Sequence, residues 1–237
     1  MTHARDRLFV ALDAPDAAAA RALIGRLGDA VSHYKIGLEL VFGGGIDLAR
    51  ELKGAGKAVF LDMKLLDIPN TVEKATANIA RLGLDFLTVH GHDRKTLAAA
   101  VKGRGGAKLK LLAVTVLTST DQADLAEQGI AATPRDLVLT RARLAAEAGF
   151  DGVIASGAEA AAVRAIVPPG FLIVTPGIRP AGTAAGDQSR VTTPGDAIRD
   201  GASHLVVGRP ITGATDPRVA AVAVTTEITA ALSRNRA

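Results

Sequence analysis

Cysteine is absent from the chain. Disulfides, thiolate metal sites and cysteine nucleophiles are thereby excluded, and a reducing compartment, the cytoplasm, is the expected location. Tryptophan is absent as well, tyrosine occurs once, and aromatics amount to 3% of residues. A core must therefore be assembled from alanine, leucine and valine carried on many regular elements. No apolar run approaches the ~18 residues of a membrane span, and the opening MTHARDRLFVALDAPD lacks the long apolar stretch of a leader, so no membrane partner is expected. The charge balance is nearly even, with 28 basic against 24 acidic residues and a net charge of +4. Without clustered lysine and arginine or stacking aromatics, nucleic acid is not the expected partner, whereas a few cations aimed at a small anion fit the composition.

What the chain does have is a set of short apolar runs: RLFVALD, HYKIGL, KAVFLDM, DFLTVH, KLLAVTVLT, DGVIAS, FLIVTPG and SHLVVG. Their near-continuous hydrophobicity predicts strands buried on both faces, as in a parallel sheet. Ala/Leu-rich segments at helical spacing lie between them, among them DAAAARALIGRLG, TVEKATANIARLG, RDLVLTRARLAAEAG and GAEAAAVRAIV. Eight such strand–helix units in 237 residues predict an α/β fold of the (β/α)8 TIM-barrel type, one domain over residues 1–237. A doubly wound open sheet is the rival, but VALDAPD follows the first strand where a glycine fingerprint is expected, and Gly56-Lys57 is followed by Ala58 rather than a hydroxyl residue.

In such barrels the chemistry sits at the C-terminal ends of the strands. Asp13, Lys35, Asp62, Lys64, His90, Thr118, Ser119, Pro176 and Arg209 are the residues so placed. Asp62 and Lys64 are two apart and on an extended strand would face the same side. With Asp13 and Lys35 arriving from neighbouring strands, four charges converge on one rim, an expensive arrangement to desolvate unless a ligand or reaction uses it. Flanking carboxylates favour the ammonium form of Lys64, which suits a proton donor and counts against an imine-forming lysine.

Asp67, ahead of Ile68-Pro69, reads either as a helix N-cap or as a further member of the charged set, and Thr71 as an exposed first-turn residue. His90 and His92 lack a third ligand of recognisable spacing, so satisfied polar residues are expected there and no metal. Gly208 and Arg209 follow the eighth strand, where backbone N–H groups and a guanidinium bind phosphate. The stretch PGIRPAGTAAGDQSRVTTPG is too long for an ordinary connection and is expected to act as a lid, with Gln188 gripping the ligand.

Taken together, YKIG around Lys35, FLDMKLLDIPNTV around Lys64, VLTS ending at Ser119, TPGIRP, DQSRVTTP and VVGRPIT resemble the orotidine 5'-phosphate decarboxylases. The D-x-K-x-x-D segment alone would admit barrel relatives that act on sugar phosphates with a divalent metal. The resemblance runs from Asp13 to Arg209 and implies decarboxylation of orotidine 5'-monophosphate to UMP in pyrimidine biosynthesis without a cofactor. It implies that Lys64 delivers the proton to pyrimidine C6, that Asp62 lies beside the departing carboxylate, and that Lys35 and Asp67 complete the array. It further implies that Asp13 and Thr71 hold ribose hydroxyls, that Ser119 meets the pyrimidine, that Gln188, Gly208 and Arg209 take the phosphate, and that Pro176 and Arg179 contact substrate. A homodimer is implied too, with Asp67 and Thr71 contributed across the interface. The turn VHGHD departs from the small-residue turn common in bacterial members, and no role for His92 follows from the resemblance.

Overall fold

The computed structural model describes residues 3–180 and 192–234. Eight parallel strands close in sequence order: β1 (Leu8–Ala11), β2 (His33–Gly37), β3 (Ala58–Leu65), β4 (Phe86–His90), β5 (Lys110–Val114), β6 (Gly152–Ile154), β7 (Leu172–Thr175) and β8 (His204–Val207), which pairs back onto β1. Seven fall within the apolar runs, and β3 extends two residues beyond KAVFLDM, to Leu65. The helices are α1 (Ala17–Leu27), α2 (Leu38–Leu40), α3 (Ile46–Gly54), α4 (Pro69–Ala80), α5 (Arg94–Arg104), α6 (Gln122–Glu127), α7 (Pro134–Glu147), α8 (Gly157–Arg164), α9 (Pro194–Arg199), α10 (Arg209–Thr212) and α11 (Pro217–Arg234). No helix among the described residues is long and apolar enough to cross a membrane.

Two separate cores explain why the strands lack a polar face. Residues pointing outward, such as Leu8 and Val10 of β1 or Tyr34 and Ile36 of β2, pack beneath the helices. The alternate residues point inward, where Phe9, Ala11, Phe60, Phe86, Leu112, Val174 and Val206 form a second cluster inside the barrel. Phe9 meets Phe60 and Phe86 edge-on at ring-centroid distances of 5.4 and 5.0 Å. This geometry satisfies the ring quadrupoles and plugs the barrel below its C-terminal mouth. Below the plug, His33 and His204 stand against Phe9, their Nδ1 atoms 2.9 and 3.1 Å from the Ser32 and Ser203 hydroxyls.

Local signals account for the helix ends. Asp16 caps α1 by accepting from the Ala19 N–H, and Gly28 closes the helix at φ 57°, a conformation that costs a residue with a Cβ. Asp93 and Thr133 cap α5 and α7 in the same way. At α4 the structure corrects the N-cap reading of Asp67. Ile68 occupies the cap with no side-chain bond, Pro69 takes the first helical position, and the Asp67 carboxylate accepts from the Ile68 N–H at 2.6 Å.

Candidate active site

The charged residues meet at the C-terminal mouth. Lys35 Nζ lies 3.3 Å from Asp13 Oδ1 and 3.3 Å from Asp62 Oδ2, while Lys64 Nζ lies 2.8 Å from the same Asp62 oxygen. Two carboxylates and two ammonium groups thus form one chain of ion pairs in the order Asp13, Lys35, Asp62, Lys64. The middle pair is buried, the side chains of Lys35 and Asp62 being 11% and 12% exposed. Removing one partner would strand the other charge out of water, so the members are interdependent.

Each residue reaches this point by a different backbone route. Lys35 projects inward from β2, whose register places it beside Ala11 of β1 and Phe60 of β3. Asp13 stands two residues past β1, and the Leu12 N–H donates to the Lys35 carbonyl at 2.9 Å, which continues the pairing to the rim. Gly37 leaves the space that Lys35 uses, because a Cβ there would come within 3.0 Å of Lys35 Nζ and 3.5 Å of Asp13 Oδ1.

Lys64 departs from the extended geometry expected of it. Its φ is +48°, the one positive value among described non-glycine residues, and it sits where β3 slips relative to β4. Leu61 pairs with Leu87 and Leu65 with Val89, so β3 uses four residues against two of β4. Such a bulge re-aims a side chain, at a conformational cost of about 1–3 kcal/mol for a left-handed lysine. The lysine still faces Asp62, but because of the bulge rather than a two-residue strand period.

Thr88, which was not legible as a site residue, holds this distortion in place. It is fully buried in β4. Its Oγ1 donates to Asp62 Oδ1 at 2.8 Å and accepts the Lys64 N–H at 2.9 Å. A threonine inside a strand is ordinary by propensity, so only the three-dimensional contact distinguishes it. Burial works to raise the Asp62 carboxyl, but Lys35 and Lys64, with the hydrogen bonds from Lys64 and Thr88, outweigh it and hold its pKa below the ordinary value.

The charges open into a cavity of about 150 Å³ whose other walls include Phe60, Val114, Val116, Ile154, Pro176 and Val206. The setting is electrically balanced and largely apolar, a medium in which the array acts at low dielectric strength on any charge that enters. Thr118 lines this cavity, whereas the neighbouring Ser119 is exposed on the loop after β5. Gly208 opens α10 beside the array, close enough that a Cβ would lie 3.4 Å from Asp13 Oδ2, and Arg209 follows it, exposed, in the first turn.

The expected lid begins and ends within the described residues. The Arg179 N–H donates to the Thr192 carbonyl at 2.9 Å and its guanidinium to the Ile178 carbonyl at 2.9 Å. Gln188 and the body of the lid lie outside the described residues. Asp67 and Thr71 are exposed and do not line the cavity of their own chain. The expectation that His90 is satisfied fails at Nδ1, which is buried with no hydrogen-bond partner among the described residues. Among the described residues no group of three or more His, Asp or Glu side chains has the geometry to hold a metal ion.

A closed parallel barrel with an Asp-Lys-Asp-Lys array at its C-terminal mouth, on the wall of an apolar cavity, defines a class of small-molecule barrel enzymes. Residues 6–224 match the model of the Orotidine 5'-phosphate decarboxylase / HUMPS family, and the chain belongs to that family. It is 58% identical over 228 residues to the orotidine 5'-phosphate decarboxylase of Rhodopseudomonas palustris strain BisA53, covering 96% of this chain and 97% of that one. Identity to the protein of that name from Methylobacterium radiotolerans is 57% over 224 residues, covering 94% and 96% of the two chains. Among solved structures, orotidine 5'-phosphate decarboxylase from Lactobacillus acidophilus superposes with a TM-score of 0.82 at 38% identity, covering 93% of this chain and 98% of the other. The protein of that name from Pyrococcus horikoshii OT3 gives 0.75 at 28% identity, covering 94% and 99%.

Proposed function

We propose that this chain decarboxylates orotidine 5'-monophosphate to UMP, with Lys64 as the proton donor and with no cofactor. The observation that carries the reading is the Lys64 ammonium held 2.8 Å from a buried carboxylate at the wall of an apolar cavity. When the C6–carboxylate bond breaks, its electron pair stays on C6 and carbon dioxide leaves. A proton from Lys64 then completes the product, and solvent restores the ammonium. Lys35 and Lys64 favour the developing carbanion electrostatically, and their placement before substrate arrives avoids reorganisation during the step. Asp62 keeps both ammonium groups in position and stands beside the carboxylate that departs.

Asp13, next to Gly208, takes ribose hydroxyls, and Gly208 with Arg209 and Gln188 takes the phosphate at the end of β8. Phosphate binding remote from C6 contributes binding energy that helps to assemble the site. Ser119, Pro176 and Arg179 contact the nucleotide from the β5 and β7 loops.

The site is completed by a second copy of the chain, with Asp67 and Thr71 reaching into the partner's array. This reading is supported by the exposure of both residues and by their apolar flanks, Leu66 and Ile68, which are 53% and 67% exposed. Hydrophobic side chains left bare beside a charged residue fit an interface better than a free loop. A soluble biosynthetic enzyme without cysteine suits the cytoplasm. The direct test follows pyrimidine absorbance on addition of orotidine 5'-monophosphate to purified protein. Turnover that disappears in a folded Lys64→Ala variant supports the proposal, and absence of turnover in the wild type refutes it.

A further inference from the structure

A second cavity of about 160 Å³ lies behind the β5 segment, lined in part by His90, His92, Thr115, Thr120, Gln128 and Arg141. It is separate from the cavity that holds the Lys64 array, although Val116 and Leu117 line both. Arg141 projects from α7 and is 9% exposed. Its one hydrogen bond among the described residues runs from Nη1 to the Thr115 carbonyl, and no described carboxylate pairs with it. Burial lowers its pKa from the ordinary value, yet a guanidinium stays charged in a protein interior.

The histidines add donors facing the same space. His90 and His92 stack with ring centroids 4.8 Å apart and planes 20° from parallel. Burial, then the charges of His92, Arg141 and Lys64, holds His90 at about 4, so its ring is neutral at neutral pH. Its Nδ1 is buried and has no partner among the described residues. A buried cation without an acid, next to an unsatisfied ring nitrogen, is an arrangement native structures rarely leave empty. Water would satisfy the hydrogen bonds but not the charge. The space is far larger than the ~10–15 Å³ that one water centre requires.

We propose that this cavity binds a small oxyanion, held by the Arg141 guanidinium and by ring N–H groups of His90 and His92. Bicarbonate and inorganic phosphate share the required chemistry, a compact anion with several acceptor oxygens.

The test uses the full chain labelled with 15N-histidine and follows the ring resonances of His90 and His92 by NMR. Sodium bicarbonate and sodium phosphate are titrated separately at constant pH, with sodium chloride holding ionic strength. Saturable shifts with either anion are expected, and the anion that produces them identifies the ligand. Arg141→Gln keeps a donor for the Thr115 carbonyl while removing the charge, and should weaken the titration roughly 10- to 100-fold. Should that variant not fold, exposed His92 replaced by Leu serves instead, with affinity reduced several-fold. Arg209→Ala should leave the titration unchanged. Absence of saturable shifts in the wild type, unchanged affinity in the Arg141 or His92 variant, or loss of the titration with Arg209→Ala would overturn the proposal, the last by assigning the anion to the nucleotide site.

Discussion

Replacing Thr88 by valine preserves the shape of a fully buried side chain while deleting both of its hydrogen bonds. Asp62 Oδ1 then loses a donor at 2.8 Å and the Lys64 N–H loses an acceptor at 2.9 Å. A hydrogen bond to a charged group contributes about 1.5–3 kcal/mol, and an orphaned backbone donor costs about 1–3 kcal/mol. Partial rescue by relaxation of the bulge brings the expected loss of stability to about 2–4 kcal/mol. For a chain of this size that corresponds to a fall in Tm of roughly 4–16 °C. Activity should fall as well, because the bulge that turns Lys64 toward Asp62 loses its anchor. Urea denaturation and thermal scans measure the first effect, and kcat on the purified variant measures the second. Thr88→Ser, which keeps the hydroxyl, should recover most of kcat. A Thr88→Val protein within ~0.5 kcal/mol of wild type and equally active would show that the hydroxyl positions nothing.

Three further outcomes are expected. His204 is driven down to about 3 by burial, reinforced by His33, Arg7 and Lys110; because its folded pKa lies below its unfolded value near 6.5, it stabilises the fold above that value and the contribution is lost as pH falls. Lowering pH from 7 to 5 should cost about 2 kcal/mol through this group, a slope that urea titrations of His204→Asn should flatten. Gly37→Ala should fold normally yet push Lys35 off its two carboxylates, lowering kcat/KM by about tenfold or more in steady-state assays, since the added Cβ would lie 3.0 Å from Nζ. Mixing inactive Lys64→Ala and Asp67→Ala subunits should recover about one quarter of wild-type activity at equal ratio, because each hybrid dimer then carries one intact site; no recovery despite demonstrated subunit exchange would show that each chain works alone.

The barrel was legible because its strands are buried on both sides and so appear as unbroken apolar runs such as FLIV and HLVV. Asp13, Lys35, Asp62 and Lys64 stood out because charges at the ends of such runs have no structural reason to be there. What stayed hidden depended on backbone geometry. The positive φ of Lys64 and the slip between β3 and β4 leave no mark in composition, and two residues of spacing suggested the right contact for the wrong reason. Thr88 is indistinguishable from any strand threonine until its hydroxyl is seen between Asp62 and Lys64. Arg141 lies in the helical segment RDLVLTRARLAAEAG, where nothing in the sequence singles it out, and only folding places it beside His90 and His92.

The Lys64 ammonium is expected to meet negative charge on a ring carbon. A crystal structure of the protein with UMP bound tests it most directly. Lys64 Nζ is expected within about 3–3.5 Å of pyrimidine C6, with Asp62 still bonded to it and the phosphate at Arg209. A ring bound elsewhere, or a Lys64 side chain turned to solvent while UMP occupies the cavity, would contradict it.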